Sequence, residues 1–317
     1  MPPSTTTRAA SAGSGPERML RTRLIAAVVL APIVLAVVLL GEPWVSLLVG
    51  LIVFLGLVEL IALLDSAGFE PPQVLTLGVG LVVTGGFLLA VNEGNLGGPP
   101  LDIVRGSLPL GLPLIAFVLG ALILAAASFT RGDPRAGFLS WATSSFGVAY
   151  VALLAPFMVV IAHLAPPDGT AATAVGGFGL RSGSAWAMLL VLTVWGYDSG
   201  AYLTGRWLGR RRLIDHISPS KTVEGLAGGL VAATLAAGLG GWIAGLEPWH
   251  PLVLGPLIGL SAQAGDLAES LLKRAAGRKE SGFLIPGHGG ILDRIDSFLF
   301  AGPVLAVYAM LVAGRVA

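Results

Sequence analysis

Long apolar runs alternate with short polar segments along most of the chain. Nine of these runs approach or reach the length of about 20 residues that an α-helix needs to cross a bilayer. The pattern therefore predicts an all-α, polytopic bundle of about nine transmembrane helices, with scaffold helices over residues 21–183 and a more polar C-terminal region over 184–317. The predicted helices are 24–40, 44–64, 74–91, 108–127, 138–164, 184–204, 223–246, 252–272 and 292–314.

The first 20 residues do not share this apolar pattern. They are rich in Ser, Thr, Ala, Gly and Pro, so residues 1–20 are expected to form a disordered tail. The run 24–40 is longer than the apolar core of a signal peptide, and the segment 41–43 (GEP) is not a small-residue cleavage site. We therefore predict a retained first transmembrane helix.

Basic residues are distributed unevenly between the two sides of the predicted bundle. If the N-terminus is cytoplasmic, 16 of the 19 Lys and Arg residues fall on the cytoplasmic side, and Arg105, Arg181 and Arg315 fall outside. Cytoplasmic loops of membrane proteins carry an excess of Lys and Arg. The distribution predicts a multi-pass protein with a cytoplasmic N-terminus and tail.

Composition excludes several classes of protein. Only 12% of the residues are charged and the mean hydropathy is +0.84, whereas soluble domains are about a quarter charged. A net charge of +1 indicates no nucleic-acid partner. The absence of cysteine excludes disulfides, thiolate zinc sites and cysteine nucleophiles, so a metal would be held by oxygen or imidazole.

Four polar segments lie at the predicted cytoplasmic ends of the last four helices. The first is 195–206 (WGYDSGAYLTGR), in which Asp198 and Tyr202 lie one helical turn apart. An ionised Asp within a bilayer costs about 2.5 to 3.5 kcal/mol, so such a residue is a candidate functional group. A structural hydrogen bond from a neighbouring helix is the alternative.

The second polar segment is 218–225 (SPSKTVEG). Ser218 followed by Pro219 predicts a helix N-cap and a first-turn proline. A helix N-terminus beside Lys221 and the hydroxyls of Ser220 and Thr222 is suited to binding phosphate. The alternative is a basic connecting loop that anchors the helix among lipid headgroups.

The third polar segment is 263–274 (QAGDLAESLLKR). Gln263, Asp266 and Ser270 follow the spacing of one helix face. Lys273 can pair with Glu269, which leaves Asp266 without an obvious local partner. Asp266 is therefore predicted to be a ligand or a catalytic group.

The fourth polar segment is 279–296 (KESGFLIPGHGGILDRID), where the loop 286–290 leads into the last helix. Its glycines allow the backbone to approach a ligand closely. Asp293 and Asp296 lie three residues apart with Arg294 between them, an arrangement that suits a hard divalent cation bridging to phosphates. Solvated acids favoured by the helix dipole are the alternative.

The four segments together suit one kind of chemistry. Carboxylates hold Mg²⁺, and Mg²⁺ with Lys and Arg neutralises phosphate oxygens during displacement at phosphorus. The residues therefore predict a reaction between a cytosolic nucleotide and a lipid of the bilayer.

The segments 218–225, 265–274 and 287–296 resemble the signature of the phosphatidate cytidylyltransferase family, also called CDP-diacylglycerol synthases. The resemblance is carried by residues 195–300, about a third of the chain. It implies that the phosphate of phosphatidic acid attacks the α-phosphorus of CTP, which gives CDP-diacylglycerol and pyrophosphate with Mg²⁺. It further implies a homodimer in the inner or plasma membrane and, in some members, a monovalent cation such as K⁺ beside the Mg²⁺.

The resemblance also implies roles for individual residues. Asp266 and Asp293 would hold the metal and act in catalysis, together with Lys221, Asp198 and Asp296. The residues implied to bind or orient the substrates are Ser218, Ser220, Thr222, Glu224, Lys273, Arg274, His288, Gly289, Gly290 and Arg294.

One position departs from the family pattern. The chain has Lys279 followed by Glu280 where the family usually has Lys-Asp. The additional methylene moves the carboxylate by about 1.5 Å. Glu280 is therefore left out of the predicted ligand set.

Three other functions share some of these features. A CTP-dependent lipid kinase needs the same cation and nucleotide. In its reaction, however, the lipid attacks a different phosphorus of CTP. A CDP-alcohol phosphotransferase carries paired aspartates in a Gly-x-x-x-Asp-x-x-x-Asp segment, which only Asp293 and Asp296 echo here. A transporter is disfavoured because its acidic residues are expected near the midplane, often within inverted repeats.

Overall fold

The computed structural model describes residues 16–93, 111–164, 182–284 and 289–313. Ten α-helices, two π-helical stretches and a two-stranded antiparallel sheet make up the described residues. The helices are α1 (Pro16–Leu40), α2 (Trp44–Ser66), α3 (Gln73–Glu93), α4 (Gly111–Ser128), α5 (Pro134–Gly147), α6 (Phe157–Ala162), α7 (Ser182–Leu208), α8 (Val223–Ile243), α9 (His250–Ala275) and α10 (Leu292–Tyr308). The strands are β1 (Arg212–Ile214) and β2 (Ser218–Thr222), and the π-helical stretches are Val148–Leu153 and Ala309–Ala313.

Within the described ranges, six helical spans are long and apolar enough to cross a membrane. This agrees with the predicted all-α, multi-pass membrane protein. α7 and α9 contain 27 and 26 residues, but the polar residues of segments 195–206 and 263–274 lower their hydropathy. The six spans are Trp44–Ser66, Gln73–Val91, Gly111–Ser128, Pro134–Ala162, Val223–Ile243 and Leu292–Leu311.

The described residues include only part of the chain ends and of the predicted outer loops. α1 begins at Pro16, so the prediction of disorder through residue 20 is wrong for residues 16–20. Proline is favoured in the first turn of a helix, and the residues that follow it are good helix formers. Residues 1–15 and the three basic residues predicted to lie outside, Arg105, Arg181 and Arg315, are beyond the described ranges.

The predicted helix 138–164 is interrupted in the structure. α5 begins earlier, at Pro134, because the Asp133 side chain accepts hydrogen bonds from the main-chain N–H groups of Arg135 and Ala136. The α-helix changes to π geometry after Gly147, and α6 begins only after Pro156. Proline has no N–H to continue the helical hydrogen bonds, which explains the break at that point.

The hairpin β1–β2 corrects the prediction that Ser218 caps a helix. Ser218 lies in β2 opposite Ile214, and α8 begins at Val223. The N-cap is Thr222, whose hydroxyl accepts a hydrogen bond from Gly225 N at 3.0 Å. Pro219 is accommodated because a two-stranded sheet has only edge strands, where a missing donor is tolerated.

Small residues bring α7 and α8 into close contact. A Cβ atom on Gly196 would lie 2.7 Å from Ala236 Cβ, and one on Gly200 would lie 2.9 Å from the carbonyl oxygen of Gly228. Small residues four apart let two helix backbones approach in this way. The polar part of α7 is therefore held beside the hairpin and the first turn of α8.

A second close contact joins α9 to α10. A Cβ atom on Gly265 would overlap the main chain of Asp296 and would lie 3.2 Å from Ser297 Cα. Gly265 precedes Asp266, so the contact places this acidic residue beside the first turns of α10. α2 packs against the same end of α10, where a Cβ on Gly56 would lie 3.4 Å from Leu292 Cδ2.

Candidate functional site

The hairpin and α9 meet through an ion pair. Lys221 Nζ, on β2, lies 2.5 Å from Asp266 Oδ2, and the two side chains are 17% and 35% exposed. Asp266 Oδ1 also accepts a hydrogen bond of 3.3 Å from Ser270 Oγ, one turn along α9. The ionic partner that was not apparent for Asp266 in the sequence is therefore supplied by a distant segment.

Lys273 joins two carboxylates. Its Nζ atom forms an ion pair with Glu269 on α9, as predicted, and lies 2.6 Å from Asp293 Oδ1 on α10. Glu269 is only 1% exposed, and a buried charge requires a partner of opposite charge. Lys273 thus links α9 to α10 within the predicted site.

Asp293 accepts hydrogen bonds that hold the loop before α10 in place. Its Oδ2 atom accepts hydrogen bonds from Ser281 N at 2.9 Å, Ser281 Oγ at 2.8 Å and Gly290 N at 2.8 Å. Oδ1 has a single donor, Lys273 Nζ, so it keeps one lone-pair direction for a further ligand. A metal could therefore bind Asp293 through Oδ1.

Asp198, Asp266 and Asp296 lie within electrostatic range of one another. The charge of Asp266 acts on both of the other carboxylates, and Lys221 and Arg294 act on Asp198 with the opposite sign. Asp296 is buried, and its Oδ1 atom accepts a hydrogen bond of 2.7 Å from Ser297 N. The polar cluster formed by these five residues together with Lys273 and Asp293 combines acids with cations, as a site for metal and phosphate requires.

The protein does not provide a complete metal cage within the described ranges. No group of three His, Cys, Asp or Glu side chains there could hold an ion without other ligands. Mg²⁺ is usually bound by one or two carboxylates, with substrate phosphates and waters completing its coordination. The arrangement is therefore compatible with an ion that binds together with a phosphate substrate.

Two predicted substrate-binding residues, Glu224 and Arg274, make contacts within the protein. Glu224 Oε2 accepts hydrogen bonds from Arg210 N at 3.0 Å and Arg211 N at 3.1 Å, so its carboxylate holds the turn that follows α7. Arg274 Nε donates to Ile217 O at 3.3 Å on the side of the hairpin. These contacts position the hairpin beside the polar cluster.

The other predicted substrate-binding residues that the structure describes, apart from Lys273 on α9, lie in β2 and at or just before the start of α10. Ser218 and Thr222 are buried ends of β2, whereas Ser220 is exposed between them. Gly289 has a positive φ of 79°, a conformation that favours glycine. His288 lies outside the residues that the structure describes.

Glu59 is a site residue that the sequence reasoning missed. It lies on α2 and is 5% exposed, and its Oε2 atom accepts hydrogen bonds from Leu292 N at 3.0 Å and Ser281 Oγ at 3.4 Å. α2, one of the predicted scaffold helices, therefore supports the same loop before α10 that Asp293 holds in place. The available signal was an acidic residue within an apolar helix, which is a candidate functional position in any membrane span.

α7 and α9 are also joined by a buried polar contact. The Tyr197 hydroxyl donates a hydrogen bond of 2.6 Å to Gln263 Oε1. The two residues precede Asp198 and Asp266 by one and three positions, so the contact helps to set the relative heights of these carboxylates. Gln263 thus supports the polar cluster through a contact about one turn before Asp266 on α9.

Comparison with known proteins identifies the family of the chain. A sequence profile described as the cytidylyltransferase family matches residues 21–312. A phosphatidate cytidylyltransferase of Synechocystis is 34% identical over 310 residues, which cover 91% of this chain and 96% of the relative. The protein of the same name from Bacillus subtilis is 51% identical over 116 residues, or 36% of this chain and 43% of the relative. The chain therefore belongs to the cytidylyltransferase family.

Proposed function

We propose that this protein transfers the cytidylyl group of CTP to phosphatidic acid and forms CDP-diacylglycerol and pyrophosphate for phospholipid biosynthesis. Membership of the cytidylyltransferase family and two relatives named phosphatidate cytidylyltransferase support this activity. The observation that carries the proposal is the assembly of three polar segments by the pairs Lys221–Asp266 and Lys273–Asp293. These pairs place cations where two phosphate-bearing substrates could be brought together.

The chemistry requires positioning more than proton transfer. A phosphate oxygen of phosphatidic acid attacks the α-phosphorus of CTP, and the bond to pyrophosphate breaks. The attacking phosphate is ionised at neutral pH, so it needs no general base. Lys221, Lys273 and Arg294 would orient the two phosphate groups and offset the negative charge that accumulates as they approach.

The donor set fits Mg²⁺, which prefers oxygen ligands. Asp266 is partly accessible and Asp198 is exposed, whereas Asp296 is buried. Both other carboxylates lie within electrostatic range of Asp266. Asp266 would hold the ion, with Asp293 Oδ1 as the second ligand. Bound Mg²⁺ would neutralise phosphate oxygens of CTP, and a monovalent cation such as K⁺ is proposed beside it.

The proposal includes the placement of the protein in the cell membrane. Nine transmembrane helices with a cytoplasmic N-terminus would put the polar cluster on the cytoplasmic face, where CTP is available. The distribution of Lys and Arg supports this orientation. A homodimer remains an expectation from the family resemblance.

Transfer of label distinguishes this activity from the lipid kinase alternative. The purified protein is incubated in detergent with Mg²⁺, phosphatidic acid and CTP labelled at either the α- or the γ-phosphorus. We expect label in the lipid only from the α position. Label from the γ position alone would make the protein a kinase. No label from either position would contradict cytidylyl transfer to phosphatidic acid and reopen the choice of substrate and the transporter alternative.

A further inference from the structure

An apolar cavity of ≈ 450 Å³ lies inside the bundle next to the polar cluster. Residues of α1, α2, α6, α7 and α10 line it, together with Ile291 just before α10. All of the lining residues are apolar except Arg294. An apolar lining of this kind favours an apolar occupant over water.

Arg294 connects the cavity to the polar cluster. On α10, Ile295 and Phe298 line the cavity together with Arg294, so the arginine shares their side of the helix. The charge of Arg294 also acts on Asp198 in the polar cluster, and Asp293 precedes it in the chain. One charged side chain therefore lines the apolar space and lies within electrostatic range of the region proposed to bind phosphates.

We propose that the cavity binds an acyl chain of the phosphatidic acid substrate while Arg294 faces its phosphate. This inference rests on the proposed function, because it assigns a binding site to the lipid substrate of that reaction. A ligand with an anionic head and an apolar chain matches the combination of one cation and an apolar lining. Along α1 the lining extends from Leu30 to Val38, about 12 Å of helix, which accommodates a substantial part of a fatty acyl chain.

Two matched tryptophan variants test the site. Val34 lines the cavity, whereas Val28 lies on the same helix, is 70% exposed and does not line it. We expect Val34→Trp to raise KM for dioleoyl phosphatidic acid by about tenfold relative to dioctanoyl phosphatidic acid, because the long chain loses burial of several methylenes. Val28→Trp should leave the ratio of the two KM values unchanged. Equal ratios for both variants would overturn the proposal.

A photoreactive phosphatidic acid with a diazirine near the end of one acyl chain tests binding without turnover. Cross-linking of the wild-type protein should label the lining of α1 or α10, and excess unlabelled phosphatidic acid should remove the label. Equal removal by phosphatidylcholine would show bulk lipid in the cavity, and label only at residues outside the lining would show that the acyl chain lies elsewhere. Either result overturns the site. If no cytidylyl transfer is detected but the specific label appears, the proposed function fails while the lipid site stands.

Discussion

Asp293 combines more interactions than the other carboxylates of the polar cluster. It accepts hydrogen bonds from Ser281 and Gly290 and pairs with Lys273, and the family resemblance also implies a metal at this carboxylate. The motif identified the residue, but the contacts with Ser281 and Lys273 could not be deduced from periodicity. They depend on how a loop folds back onto the start of α10.

Replacing Asp293 with Asn removes the charge and keeps the size of the side chain. We expect a loss of about 100-fold or more in kcat with membrane insertion intact, because transition-state charge is no longer balanced. Release of α-labelled product into the lipid phase measures the effect. Asp215→Asn, on the exposed hairpin turn, is the matched control and should be close to wild type. Activity of Asp293→Asn above about a tenth of wild type would exclude the metal role.

Glu59 provides a second prediction at the scale of single residues. Glu59→Ala leaves the Leu292 N–H without its acceptor, and this should lower stability by about 1 to 3 kcal/mol. Glu59→Gln keeps an acceptor oxygen and should lose less. Thermal unfolding of the purified variants in detergent gives the comparison. Identical unfolding midpoints for Glu59→Ala and the wild type would show that this acidic residue does not support the loop.

At the scale of elements, most helices follow the apolar pattern, and the departures occur where local chemistry competes with it. Pro156 interrupts the predicted helix 138–164, and Pro219 lies in a strand rather than a first helical turn. Both prolines were visible in the sequence. The pairing of β1 with β2 was not, because a short polar strand carries no strong alternation of apolar and polar residues.

The close contact at Gly265 is required for the arrangement of α9 and α10. Gly265→Val should separate the two helices, because even a Cβ atom overlaps the Asp296 main chain, and we expect turnover to fall by at least about tenfold. Gly238→Val on α8 is the control, since a Cβ there meets no atom within 4 Å. Initial rates and unfolding midpoints of both variants are compared. Equal behaviour of the two variants would contradict a role for the Gly265 contact.

At the scale of the whole molecule, the proposed orientation in the membrane is tested at two exposed loops. The chain has no cysteine, so single cysteines can be introduced without a background. Glu247 lies exposed between α8 and α9, and Lys279 lies exposed between α9 and α10. Labelling of cysteines at these two positions shows on which side of the membrane each end of α9 lies.

We expect Glu247→Cys to react with a membrane-impermeant maleimide in intact spheroplasts. Lys279→Cys should react only after the membrane is opened, because the basic residues place the loop 276–284 in the cytoplasm. The extent of labelling is measured by mass shift on a gel. The reverse pattern would invert the proposed topology, and labelling of both positions in intact cells would mean that α9 does not span the bilayer.

Hydropathy and motif spacing were sufficient to predict a multi-pass helical membrane protein, its family and most residues of the polar cluster. These features are local: an apolar stretch must be buried in lipid wherever it lies, and a motif is contiguous in the chain. The Lys221–Asp266 pair, the support of the loop by Glu59 and the cavity beside Arg294 were decided by tertiary structure. Each joins segments far apart in the chain, and only the packing of helices through Gly200 and Gly265 determines which of them meet.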